Sequence, residues 1–180
     1  MFKIFGKKKL KEDALANIFI NAIVEVIDNG FDEVAGLIND APEFLSTPQV
    51  STEDNSKFTL IVIAANLKEI PNHFEAHQDS RLIISIVQKL SNLYKTDYKQ
   101  LESSLRNYQS YLSTVNHPSR NTVYAMSKAL FYKYELGPFQ EEHFKKLNAP
   151  NPLFLKRMDK AMEMFLFDWE EIKENFQIIQ

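Results

Sequence analysis

The sequence predicts an all-α protein, an irregular multi-helix bundle with a long C-terminal helix. Between Gly36 and Gly137 the chain runs 100 residues without a glycine, the residue that the tight hairpins and bulges of β-architectures call for. Apolar side chains through that stretch recur three and four residues apart, the period of a helix that buries one face. The composition, 44% hydrophobic and 25% charged, is that of an ordinary globular chain and not of a disordered one. A length of 180 residues suits one domain, so residues 1–10 read as a flexible basic tail and residues 11–180 as a single helical domain.

The first helix is expected from about Lys11 to Asp28, on the ladder Leu15, Ile18, Phe19, Ala22, Ile23, Val26 and Ile27. Asn29-Gly30 reads as its left-handed cap, and Phe31 as the start of a short second helix that Pro42 stops. Glu43 to Val50 reads as loop. Ser51 and Asp54 have capping-box spacing ahead of Phe58 to Ala65, a run apolar on every side that fits a central helix, although its β-branched residues also suit a buried strand. Pro71 interrupts or restarts the chain. Leu82, Ile83, Ile86, Val87, Leu90, Leu93 and Tyr94 mark the next stripe.

Thr96 or Asp97 caps a helix whose Tyr98, Leu101, Leu105, Tyr108, Leu112 and Val115 keep a seven-residue step, and Asn116-His117-Pro118 ends it. A helix from Ser119 or Asn121 through Tyr134 is closed by Gly137-Pro138, and a short one follows around Gln140 to Leu147. Asn151 then caps the final helix with Pro152 at its first position. Leu155, Met158, Met162, Phe165, Trp169, Ile172 and Phe176 hold the heptad step, which makes this the longest helix expected. Its additional apolar residues Phe154, Ala161, Leu166 and Phe167 exceed what one seam covers.

Zero cysteines removes disulfides, thiolate nucleophiles and cysteine-ligated metals, and makes a reducing cytoplasm the expected location. No apolar h-region follows the lysine-rich start MFKIFGKKKLK. The longest uninterrupted apolar run, Leu60 to Ala65, is far shorter than the roughly 18 residues that span a bilayer, so no transmembrane segment is expected. Net charge is −3 but uneven: Met1 to Lys11 carries +5, Glu12 to Leu93 carries −9, and Tyr94 to Tyr134 carries +4 with all seven tyrosines. Rings among lysines suggest single-strand nucleic-acid binding. Against it, Tyr98 and Tyr108 fall at core positions and the sequence pI is near 5.8, so a nucleic-acid partner is not expected.

Glu69, His73 and His77 stand four residues apart, which on one continuous helix gives three metal ligands on a face, or simply a solvated face. His117, Arg120 and Asn121 flank a helix start, where free N–H groups and the dipole favour an anion, though most such turns bind nothing. Glu-x-x-His, HExxH, GxSxG, GxGxxG and phosphate-loop patterns are all missing. No catalytic residue and no cofactor is assigned. The expected function is a non-enzymatic interaction or regulatory module, meeting a protein partner or a second copy through the last helix, with Phe167 and Trp169 as its surface. The competing expectation is a helical enzyme, or a small-molecule or metal binder, with a polar site between helices. An enclosed cavity gathering those polar side chains would favour the second, and an exposed apolar groove the first.

Overall fold

The helix running through the apolar stretch at residue 58 is the axis of the protein. A computed structural model describes residues 6–180; Phe2, Ile4 and Phe5 of the basic tail lie outside the described residues. In chain order the elements are β1 (Lys8–Lys11), α1 (Glu12–Asn39), α2 (Ser56–His73), α3 (Gln78–Leu93), α4 (Tyr98–Asn116) and α5 (Thr122–Lys133). They continue with α6 (Glu142–Leu147), α7 (Pro152–Met162), α8 (Trp169–Asn175) and β2 (Phe176–Ile179). Single 3-10 turns occupy Gly137–Phe139 and Glu163–Phe165.

Phe58, Ile61 through Leu67, and Ile70 are all buried, because α2 touches α1, α3, α4, α5 and α8. A helix apolar all round is stable only when neighbours surround it, and here they do. One hydrophobic cluster runs through the whole bundle, from Leu15 to Trp169. Side-chain caps form where the sequence places them: Asp97 accepts from the Gln100 N–H at 3.0 Å, Asn121 from Tyr124 at 3.1 Å and Asn151 from Leu153 at 2.9 Å.

Three expectations are corrected. First, α1 does not stop at Asn29-Gly30; it is one helix of 28 residues and the longest described. Gly30 is no cap, since no described glycine has positive φ. A Cβ built on Gly30 would lie 2.7 Å from Phe165 Cζ and 2.9 Å from Cε1, so glycine serves there as the hollow in which a phenyl ring sits. Second, the long C-terminal helix is broken. α7 ends at Met162, the chain turns through Glu163–Phe165, extends, and restarts as α8 before ending in β2.

The break is made by Asn66, 1% exposed on α2. Its amide donates to the Val62 carbonyl at 2.9 Å and the Phe165 carbonyl at 2.8 Å, and its oxygen accepts the Phe167 N–H at 2.8 Å. Backbone groups that a continuous helix would pair internally are paired with a side chain instead.

Third, Lys8 to Leu10 are strand, not tail. β1 pairs in parallel with β2, Lys8 opposite Phe176 and Lys11 opposite Ile179, so the two ends of the described chain are clasped together. α1 also qualifies the membrane expectation: an 18-residue window in it reaches a mean hydropathy of 1.3, long and apolar enough by composition to cross a bilayer. Its apolar residues are interspersed and not contiguous. In the fold its buried stripe, Leu15 through Ile38, is part of the core.

Helices α3, α5 and α6 close alike, with Lys95 (φ 51°), Glu135 (φ 53°) and Asn148 (φ 48°) in the left-handed region. The following N–H groups reach back to the Ser91, Phe131 and Phe144 carbonyls.

Alanine is favoured over glycine inside a helix by about 1 kcal/mol. Gly36→Ala, with open space for its methyl, should therefore raise stability by about 0.5–1 kcal/mol. Gly30→Ala should lower it by about 1–2 kcal/mol, because the Phe165 ring is itself boxed edge-on by Phe58 at 4.9 Å. Phe165→Leu should cost less in the Gly30→Ala chain than alone. Urea unfolding of the series checks all three, and equal gains at both glycines would show that the ring yields freely. In the same assay, Glu135→Gly should stabilise by about 1 kcal/mol by relieving positive φ.

Candidate functional site

Asn66 holds residues 165–167 across the end of α2, and on either side of that extended segment lies a depression. The first is polar, about 420 Å³ in volume. The last turn of α2 contributes Glu69, Asn72 and His73; the start of α5 contributes Arg120 and Thr122; the start of α8 contributes Asp168, Trp169 and Glu170. His73 Nδ1 lies 2.7 Å from Glu170 Oε1, tying α2 to α8. The Thr122 hydroxyl donates to Glu69, tying α5 to α2, and the Asn72 amide donates to the other Glu69 oxygen at 3.0 Å. The Glu170 carboxyl is held below the usual carboxylate range, chiefly by its hydrogen bond to His73, with the Lys173 ammonium adding to it.

The residues singled out from sequence are only partly reunited here. Glu69 and His73 share a face of α2, but the helix ends at His73, and His77 follows outside it with φ 77°. Among the described residues no group of three or more His, Asp or Glu side chains is placed to hold a metal ion. Arg120 walls the depression, whereas His117 is exposed outside it and the Asn121 side chain is spent on capping α5.

Trp169, expected on an interaction surface, is 2% exposed. It stacks on Phe19 with centroids 5.0 Å apart and meets Phe74 edge-on; the turn at 163–168 rotates it into the core. Its indole N–H has no hydrogen-bond partner. Phe167 remains half-buried and borders both depressions.

The second depression, about 330 Å³, runs between α1 and the chain from Met164 to Ile172. Ile23 forms its floor. Ile18 at 39% and Met164 at 54% exposure stand at its lips with exposed Ala22, and Leu166, Phe167 and Ile172 are half-buried along its wall. Asp168 and Glu171 are its charged edge.

None of the seven tyrosines lines either depression. Lys133 Nζ sits 4.6 Å from the Tyr108 ring centroid and 4.4 Å from that of Tyr111, and Lys128 and Lys57 lie over Tyr124 and Tyr134. Tyr98, Tyr108, Tyr111, Tyr132 and Tyr134 pack against the core, and burial pushes the Tyr134 hydroxyl up to about 12. Tyr108, Tyr111, Tyr124 and Tyr134 thus face the protein's own ammonium groups.

No family model, curated protein or solved structure matches this chain. Thr122 was missed from sequence because it reads there as an ordinary helix-start residue, and Asp168 and Glu170 because they fall inside the single long helix that the heptad predicts. Only the convergence of three helix ends makes them neighbours.

Glu170 is depressed when folded, so its contribution to stability is complete above its unfolded value near 4.5 and is lost as pH falls through the lower folded value. The stability difference between wild type and Glu170→Gln should hold near pH 6 and shrink progressively below about pH 4.5. Denaturant unfolding across pH 6 to 3 measures it, and a difference independent of pH would remove the ion pair from the account.

Proposed function

We propose that the chain is a non-enzymatic interaction module whose groove between α1 and residues 164–172 docks an amphipathic helix of a protein partner, with basic residues flanking the partner's apolar ridge. One observation carries this: Ile18, Ala22 and Met164 leave apolar surface exposed and contiguous around a concave floor. A soluble protein hides such surface unless something covers it, and a helix laying residues i, i+4 and i+7 into a groove is a common way to do so. The basic character follows from charge: Asp168 and Glu171 edge the groove, and the region from Glu12 to Leu93 that supplies its other wall carries −9, which attracts cations and steers their approach. The polar depression is open and its side chains cross-link helices, so it does not by itself make an enzyme the better reading. The lack of cysteine is in keeping with a reducing compartment such as the cytoplasm.

Two synthetic helices with the same leucine ridge, one flanked by lysines and one by glutamates, separate the outcomes. The lysine peptide should shift the Ile18 and Met164 methyl resonances and bind at least about tenfold more tightly at low salt, and Met164→Lys should abolish binding. Sedimentation finding a dimer that Met164→Lys dissolves would make a second copy of the chain the occupant. The absence of both peptide binding and self-association would overturn the proposal.

A further inference from the structure

We propose that the outer edge of β1 takes an acidic, extended segment of a protein partner as a third strand. The first support is main-chain geometry. β1 is four residues long and pairs in parallel with β2 alone, so its other edge has no hydrogen-bonded neighbour among the described residues. In a strand paired on one side, alternate residues turn N–H and C=O outward, and such unpaired groups are a template for a further strand. β2 is flanked by protein instead. The Gln78 side-chain amide reaches the Ile178 carbonyl at 3.4 Å, and Phe176, Gln177 and Ile178 border one depression with the end of α2 and the start of α3.

The edge of β1 is also fixed before anything meets it. Leu10 is half-buried against the core, and Glu12, directly after the strand, is gripped by Arg81 at 2.9 and 2.6 Å. Binding there has only the incoming segment to order.

Charge decides the occupant. Side chains alternate across a strand, so Lys9 and Lys11, both exposed, project from the face opposite Leu10, and Lys7 and Lys8 are exposed beside them. Met1 to Lys11 holds five lysines and no acidic residue, in a chain whose net charge is −3. Lysines on an edge strand keep like strands away, since a second β1 would set lysine opposite lysine. The same charges attract a strand of opposite sign and speed its approach. The segment that fits therefore alternates, with acidic residues on the face of Lys9 and Lys11 and apolar ones on the face of Leu10. Main-chain bonds hold it and its charges select it. This edge shares no residue with the groove between α1 and residues 164–172, and it selects the opposite charge.

The test uses the full chain labelled with ¹⁵N and capped peptides of about eight residues, one alternating glutamate with valine and one alternating lysine with valine. At low salt the glutamate peptide should shift the Lys8–Lys11 amides with half-saturation near or below about 1 mM and slow hydrogen exchange there at least about tenfold. The lysine peptide should bind at least about tenfold more weakly. Two further glutamate peptides, N-methylated on every glutamate or on every valine, should differ: one keeps binding and the other loses it, because only alternate residues face the edge. Lys9→Glu with Lys11→Glu, at exposed positions, should reverse the preference between the two parent peptides. Met164→Lys should change none of this, so the edge and the groove stand or fall separately. Equal binding of both parent peptides, equal response to the two methylations, or still β1 amides at about 5 mM glutamate peptide overturns the proposal. So does polyphosphate shifting the same amides as strongly, which makes the patch a bare counter-charge, or β1 shifts that grow with the concentration of the chain alone, which makes a second copy the occupant.

Discussion

A single side-chain amide sets the course of this protein's chain from Phe165 onward. Asn66, buried on the central helix, pairs with the Phe165 carbonyl and the Phe167 N–H, partners 99 and 101 positions away. Each bond contributes about 0.5–1.5 kcal/mol net, but an unpaired buried group costs about 1–3 kcal/mol, so the arrangement is enforced mainly by what its loss would leave unsatisfied. With residues 165–167 fixed, the Phe165 ring enters the hollow over Gly30 and Trp169 turns onto Phe19. α1, α2 and the C-terminal segment are thereby registered against one another at one point.

The same device recurs wherever the bundle must hold irregular chain. Asn39 at the end of α1 both donates to the Val50 carbonyl and accepts the Val50 N–H, at 3.0 and 2.8 Å. Buried Gln140 donates to the Ala149 carbonyl and accepts the Asn151 N–H. An amide carries one donor face and one acceptor face, so it imitates a neighbouring strand where none exists. Ion pairs finish the fastening: Arg81 grips Glu12 with two nitrogens, at 2.9 and 2.6 Å, and Arg157 reaches Glu43 at 2.7 Å. A bidentate guanidinium fixes direction as well as distance, which suits Glu12, the first residue of α1 after the β1–β2 clasp.

Local physics made most of the bundle legible in the sequence. The stripes of α3, α4 and α5, the all-round apolar face of α2, and the caps at Asp97, Asn121 and Asn151 are short-range patterns that the folded chain keeps. What failed depended on distant partners. Gly30 resembles a stop signal, and only a ring 135 residues further on makes it a contact. The heptad from Leu155 to Phe176 is a genuine apolar period, but it is buried by a bent chain because Asn66 competes for its backbone. The clasp joins two four-residue strands, too short for periodicity to register. The ends of α3 and α5 were read within a residue, but the closing turn of α5 was assigned to Gly137-Pro138, because Lys95 and Glu135, poor left-handed residues, fill the positions where glycine is the readable sign. Of the site, Glu69, His73 and Arg120 were visible as polar residues, but their grouping with Thr122 and Glu170 is tertiary.

The polar depression and the apolar groove share Leu166, Phe167 and Asp168 as a common wall. That wall has no helical hydrogen bonds of its own at Phe167, whose N–H is held by Asn66. An occupant of the proposed groove would bear on residues that also face the polar depression, and the position of the 166–168 segment, set by Asn66, is the physical route by which it would do so.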